Sequence, residues 1–374
     1  MQKKVLIVGA GLTGAVIARQ LAEAGIFCQV IDSRSHIGGN CYTERDPETG
    51  IMVHSYGPHI FHTANMDVWR WIQQFGEFQS YQHRVFAQSN GRVYSLPINL
   101  HTLNQFFGKT MGPEEAAHFV KNELAEDIKV AGDLNFEQQA LSLVGRELYE
   151  AFFKGYTEKQ WGLAASQIPG SILNRLPLRF NYDGSYFNHP VQAIPKYGYT
   201  PIIENILNHP NIRVELGVSF SQGDQKAYDH LFYSGQIDRY FRFSEGYLPY
   251  RTLDFEVIRT TGDFQGCPVM NYCDDTVPWT RITEHKHFSP WEKSDQSICF
   301  KEYSRKCNEG DIPYYPVKLA SENAMLERYL DLSSQEPNTS FVGRLGAFKY
   351  LDMDQAIADA FQQADRFLRA RSRV

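Results

Sequence analysis

Gly9, Gly11 and Gly14 stand in G-x-G-x-x-G spacing after the apolar run Val5-Leu6-Ile7-Val8, and Asp32 closes the next apolar run. This set has the chemistry of a dinucleotide cradle. Gly9 permits a tight turn, Gly11 lets the backbone approach a pyrophosphate, and Gly14 lets a helix pack closely on the strand. The free N–H groups and positive end of that helix face the phosphates. Asp32 follows the glycines by about 20 residues, where a carboxylate accepts a ribose hydroxyl. A glycine turn before an ordinary helix is the plain alternative. Here strand, turn, helix, strand and acid occur in the required order.

His54, His59 and His62 invite a metal reading. Gly57-Pro58 argues against the helix that would gather His59 and His62, and no cysteine or carboxylate ligands accompany them, so no metal is expected. Cys28, Cys41, Cys267, Cys273, Cys299 and Cys307 form no C-x-x-C pair, which also disfavours zinc or a redox dithiol. Sparse thiols in a large chain suggest a reducing, cytoplasmic setting. Lys3-Lys4 before an apolar run imitates a secretory leader, but the three glycines interrupt it and no small-residue cleavage site follows. No apolar run approaches the ~18 residues of a membrane span. A net charge of −6 gives no support to a nucleic-acid or anionic-membrane partner. The aromatic content of 14% is high enough to fill a core and also line a site for flat rings.

These groups need a frame. Residues 1–75 read as βαβ and beyond, with Leu12, Val16, Ala18 and Leu21 on the helix. Pro113-Glu114-Glu115 marks a helix start. Asn135 with Gln138 resembles a capping box ahead of Leu141, Val144 and Leu148. Residues 212–218 alternate like a strand returning to the first domain. The alternating segments 253–258, 267–273 and 297–303 favour an antiparallel sheet. A final strand at 339–344 and a helix capped by Asp352 suit a return to the cradle. The expected fold is α/β: a Rossmann-like dinucleotide domain at 1–77, 198–232 and 330–374, a helical insertion at 98–175, and an antiparallel sheet domain at 78–97, 176–197 and 233–329.

Arg34-x-x-x-Gly38-Gly39 resembles the second glycine motif of FAD enzymes of the glutathione-reductase type. Arg344 leads to Tyr350-Leu351-Asp352-Met353-Asp354, where a helix N-terminus can stabilise negative charge on a flavin N1–C2=O edge. Further motifs run in order along the chain: Gly57-Pro58-His59-Ile60-Phe61-His62, Phe152-Phe153-Lys154-Gly155-Tyr156-Thr157 with Gln160-Trp161-Gly162, Asn271-Tyr272, Thr280-Arg281, Lys301-Glu302-Tyr303, Ile312-Pro313-Tyr314-Tyr315 and Gly343-Arg344. Together they closely resemble the bacterial type of the UDP-galactopyranose mutase family, over essentially the whole chain.

The resemblance implies FAD, active in its reduced form, three domains, a homodimer, and UDP-galactose as substrate. It implies interconversion of UDP-galactopyranose and UDP-galactofuranose, the latter feeding surface polysaccharides. FAD N5 would attack the anomeric carbon as UDP leaves, and the sugar ring would open and reclose as the furanose. Gly9, Gly11, Thr13, Gly14, Asp32, Arg34, Gly39, Asn40, His59, Ile60, Val218, Arg344, Leu351, Asp352, Met353 and Ala356 would hold the cofactor. Arg175, on a Pro/Gly-flanked lid, and Arg281 would stabilise the departing diphosphate. His62 would stand near N5 and the sugar. Phe152 and Tyr156 would meet the uracil, with Thr157 and Trp161 on the same helix end. Tyr186 and Asn271 would contact the substrate, and Tyr315 and Tyr350 would donate hydroxyls to phosphate. His83 occupies a position where the family often has asparagine, which leaves the fine choice of nucleotide sugar open. An FAD-dependent oxidoreductase acting on a nucleotide sugar and a non-catalytic nucleotide-sugar-binding flavoprotein are the alternatives.

Overall fold

The computed structural model describes residues 4–129, 132–175, 178–317 and 323–372, without the side chains of Asn174, Arg175, Arg371 and Ser372. The apolar run after Lys4 forms the strand Lys4–Val8, and the glycine turn feeds the helix Leu12–Glu23. Strands Ile212–Leu216, Phe27–Asp32, Lys4–Val8, His230–Tyr233 and Thr339–Phe341 lie side by side in that order, each pair parallel. A parallel sheet needs cover on both faces. Val5, Ile7 and Phe232 point into a core built with Val16, Ile203, Ile357 and Ala360 from three helices. Leu6, Leu231 and Tyr233 point the other way, against Tyr240 and Phe341. The period of two along each strand makes both faces apolar. Ligands of such a sheet gather at the carboxyl ends of its strands, and the glycine turn lies there.

The second sheet has seven strands in the order Tyr315–Pro316, Tyr250–Thr261, Gln296–Lys306, Arg281–Glu284, Val269–Tyr272, Val85–Ser89 and Arg92–Leu96. It differs from a purely antiparallel sheet at one pair: Val269–Tyr272 runs parallel to Val85–Ser89. No hairpin links those two strands. The chain leaves after Arg92–Leu96, passes through the helices and the parallel sheet, and re-enters in a direction that no tight turn dictates.

The intervening helices include Leu100–Phe107, Pro113–Phe119, Phe136–Leu148 and Gly155–Trp161. Asn135 and Gln138 cap the third reciprocally, side chain to backbone N–H each way. Gly145, at φ 76°, breaks that helix's regular geometry, and a Cβ there would collide with the Leu124 carbonyl. A wide π turn, Tyr149–Lys154, then joins it to Gly155–Trp161. Such turns recur at functional sites because they re-aim the side chains that follow.

Glu284 ends its strand fully buried. Its carboxylate accepts N–H groups of Phe264 and Gln265 at 2.9 Å and of Gly266 at 3.2 Å, and the Ser297 hydroxyl at 2.5 Å. Burial opposes the charge, but His287, Ser297 and the backbone N–H groups outweigh it and hold the carboxyl near 2, below its ordinary 4.5. A depressed folded value contributes stability at neutral pH that is lost as pH falls from 4.5 towards 2. The denaturation midpoint of Glu284→Gln should therefore fall less steeply with pH across that window than the wild type's. Parallel curves would remove Glu284 from this role.

Candidate active site

The cradle is shaped by atoms that cannot be present. Gly9 has φ +108°, its N–H donates to the Ile31 carbonyl at 2.8 Å, and a Cβ there would strike the Ser234 hydroxyl. A Cβ on Gly14 would strike the Gly9 carbonyl. The two glycine motifs meet backbone to backbone: Gly38 N–H donates to the Ala10 carbonyl at 2.8 Å, and a Cβ on Gly39 would lie 3.2 Å from Gly11 Cα. Asp32 ties them together, accepting Ala10 N–H at 2.8 Å and Arg34 N–H at 2.9 Å. The carboxylate thus builds the turn, a role its spacing alone did not reveal.

The resulting cavity, about 410 Å³, is lined by every cofactor candidate except Ile60. Ile60 is buried in the neighbouring core. Ser234 and Arg239 also line the cavity. Ser234 directly follows a central strand of the parallel sheet, and that strand-end position was the signal available for it.

The walls fit an anionic dinucleotide. The Arg34 guanidinium lies 4.6 Å over the Tyr56 ring and donates through Nη2 to Asn40 at 2.8 Å, while Nη1 is buried without a partner among the described residues. A buried cationic N–H without an acceptor calls for an anion. Arg344 donates to the Leu351 carbonyl at 2.7 Å, beside the start of the helix Met353–Ser372. Burial, then the charge of Arg344, lowers the His59 pKa to about 4, so its ring is neutral at neutral pH.

A polar row crosses the seven-stranded sheet beside this cavity. Asn271 pairs with Arg281, Arg281 with Glu302, and Glu302 with Phe255. Directly paired residues share a face. Arg281 Nε and Nη2 reach Glu302 Oε2 at 2.8 and 2.7 Å. Glu302 is 1% exposed and Arg281 27%, so the cation faces the cleft and its counter-charge lies beneath. Burial works against the guanidinium's charge, but Glu302 outweighs it and raises the pKa. Gly57, at φ +90°, brings the 54–59 loop over the pair: a Cβ there would lie 3.9 Å from Glu302 Oε2 and 4.0 Å from Arg281 Nη2.

Aromatic side chains surround the cation. Trp161 lies 5.7 Å from Tyr315, and Tyr315 lies 5.9 Å from Tyr350. The Gln160 amide donates to the Tyr315 hydroxyl. Burial raises the hydroxyl pKa of Tyr156, and the nearby Arg281 counteracts part of that rise. Thr157 is buried one residue on. Phe152 packs against Tyr94 at 5.1 Å and Phe106 at 5.4 Å, inside the core. The Arg175 backbone closes the turn Gly170–Arg175, but its side chain lies outside the described residues.

The histidines disperse among different partners. His54 Nδ1 accepts the His59 N–H at 3.1 Å, whereas His62 Nδ1 lies 2.6 Å from His189 Nδ1, with the His62 ring stacked 3.8 Å from Phe187. His83 is 4% exposed, 5.5 Å from Tyr186. Burial, then Arg281 and His62, holds its pKa near 3. Its Nδ1 is buried without a hydrogen bond. Phe187 and His189 carried no motif to single them out. Among the described residues, Asp263, Glu284 and His287 are close enough to share an ion, but Lys286 and backbone N–H groups already engage the two carboxylates.

Residues 151–350 match the family model described as UDP-galactopyranose mutase, and residues 7–75 match that of an NAD(P)-binding Rossmann-like domain. The chain is 56% identical to a probable UDP-galactopyranose mutase of Klebsiella pneumoniae, over 98% of this chain and 95% of the relative. It is 49% identical to the dTDP-fucopyranose mutase of Escherichia coli, over 98% of both. A crystal structure of reduced UDP-galactopyranose mutase superposes with a TM-score of 0.79 at 17% identity, covering 98% of this chain and 94% of that one. A putative protoporphyrinogen oxidase from Exiguobacterium shares the fold at a TM-score of 0.68 and 13% identity, covering 98% and 99%.

Removing either partner of the Arg281–Glu302 pair strands a charge. Arg281→Met and Glu302→Gln should each cost about 3 kcal/mol or more. The double variant should cost clearly less than the sum of the two in denaturant unfolding. Additive costs would show that the two side chains act independently.

Proposed function

The chain belongs to the UDP-galactopyranose mutase family, and we propose that it interconverts UDP-galactopyranose and UDP-galactofuranose with reduced FAD in the glycine cradle. The observation that carries this reading is the meeting of the cradle's 54–59 loop with the Arg281–Glu302 pair. A sugar lying over this junction would have its anomeric carbon towards the cofactor and its diphosphate towards a cation. FAD, when reduced, supplies a nucleophile for the anomeric carbon while the nucleotide is detached.

The protein's part is placement and charge. Breaking the anomeric bond leaves negative charge on UDP. Arg281, oriented from below by Glu302, offers a planar fork to those oxygens. Tyr315 and Tyr350 present hydroxyls to the same phosphates, and Arg175 adds a second cation from its lid. Tyr156 gives the uracil a flat partner, with Thr157 and Trp161 alongside and Phe152 supporting from the core. His62, His83, Tyr186 and Asn271 bound the sugar. The neutral imidazole of His83 exchanges hydrogen bonds with hydroxyls and adds no charge.

A cytoplasmic homodimer supplying furanose for surface polysaccharides completes the reading. No helix among the described residues is long and apolar enough to cross a membrane. The Escherichia coli relative makes dTDP-fucose the natural second substrate to test.

The test is product analysis under anaerobic conditions with the reduced holoenzyme. UDP-galactose should yield UDP-galactofuranose with no net consumption of reductant. Net turnover of added nicotinamide, or substrate-dependent oxygen uptake in a parallel aerobic assay, would mark an oxidoreductase, and binding without exchange would mark a sensor. Faster conversion of dTDP-fucose would move the substrate assignment to the fucose sugar. Arg281→Lys keeps the charge but loses the fork, so turnover should fall by about 100-fold with FAD absorbance unchanged.

A further inference from the structure

The helix Gly155–Trp161 carries a cation that no step above uses. The half-buried Lys159 points its ammonium into a ring of backbone carbonyls: Tyr272 at 2.8 Å, Asp274 at 2.7 Å, Val277 at 3.1 Å and Trp279 at 3.1 Å. An ammonium has three N–H donors, so four acceptors saturate it and one proton is shared. The carbonyls belong to the loop that closes the hairpin of Val269–Tyr272 and Arg281–Glu284, whose first rung is Tyr272 N–H to the Thr280 carbonyl at 2.9 Å. That hairpin bears Asn271 on one strand and Arg281 on the other. Tyr156 precedes Lys159 by three positions, so the two share a helix face. The start of the helix is drawn onto the same loop: a Cβ on Gly155 would collide with the Cys273 carbonyl, and Cys273 Sγ lies 3.5 Å from the Phe152 carbonyl.

We propose that Lys159 is a positioning residue for nucleotide binding: its ammonium, held in the carbonyl ring of the 272–279 loop, sets the separation between the Tyr156 ring and the Arg281 guanidinium. A nucleoside diphosphate needs both ends at once, the ring for its base and the cation for its phosphates. Four converging carbonyls repel one another without a cation at their centre. The loss of Lys159 therefore releases the loop and, with it, the spacing between the two ends of the site. The proposal rests on the nucleotide-sugar reading given above.

The experiment uses the FAD-loaded protein and UDP as the probe, followed by calorimetry. Lys159→Met should retain FAD and weaken UDP binding by about 10- to 100-fold, with KM for UDP-galactose rising more than kcat falls. In Lys159→Ala, methylammonium should refill the ring and recover affinity, whereas tetramethylammonium, which has no N–H, should not. UDP affinity within twofold of wild type in Lys159→Met overturns the proposal. So does weakened binding that methylammonium fails to restore, or loss of FAD and fold in both variants, either of which assigns Lys159 to general stability. Failure of the wild type to bind UDP would instead overturn the functional reading.

Discussion

A guanidinium kept charged at the floor of a cleft is the constraint around which this protein is organised. Arg281 is partly desolvated, and Glu302 beneath it is almost wholly so. Neither is tolerable alone, because an unpaired buried charge costs several kcal/mol. Their pairing depends on strand register, since a slip of one residue would turn Glu302 to the opposite face. The pairing of Arg281–Glu284 with Gln296–Lys306 sets that register, and the long antiparallel partner Tyr250–Thr261 holds the Glu302 strand from its other edge over eleven paired residues. The large sheet is thus the device that keeps one cation in place and facing outward.

The cradle obeys a complementary rule. It provides N–H groups and missing side chains where an anion must approach, with Asp32 used to brace the turn. Cradle and cation meet at Gly57, whose φ of +90° favours glycine and whose Cβ position lies 3.9–4.0 Å from the ion pair. Glycine there costs chain entropy, but it brings the 54–59 loop to within van der Waals reach of the Arg281 guanidinium. A reaction that breaks and reforms a bond to a nucleotide needs these two walls close together. Relatives matched over 98% of this chain carry names for two different nucleotide sugars.

Local rules made much of this legible in the sequence. The glycines, the Asn135–Gln138 cap and the returning strand at Ile212–Leu216 depend on neighbours a few residues away, so their spacing carried the information. The parallel pair between Val269–Tyr272 and Val85–Ser89 did not, because its direction is set by a long excursion. Phe152 and Ile60 show another limit. Their types suit a ligand wall and a core equally, and their burial could not be read from residue type. Glu302, His189 and Lys159 act through partners far along the chain, and nothing in their own surroundings announces those roles.

In the proposed reaction the site detaches UDP from the anomeric carbon and holds it, charged, until the bond reforms. Positional isotope exchange tests this most directly. UDP-galactose carrying oxygen-18 in the bridge between the anomeric carbon and the β-phosphate is incubated with the reduced holoenzyme, and recovered substrate is followed by phosphorus NMR. The label should scramble into the non-bridging β-phosphate positions while UDP-galactofuranose forms. Formation of the furanose with the label still wholly in the bridge would contradict it.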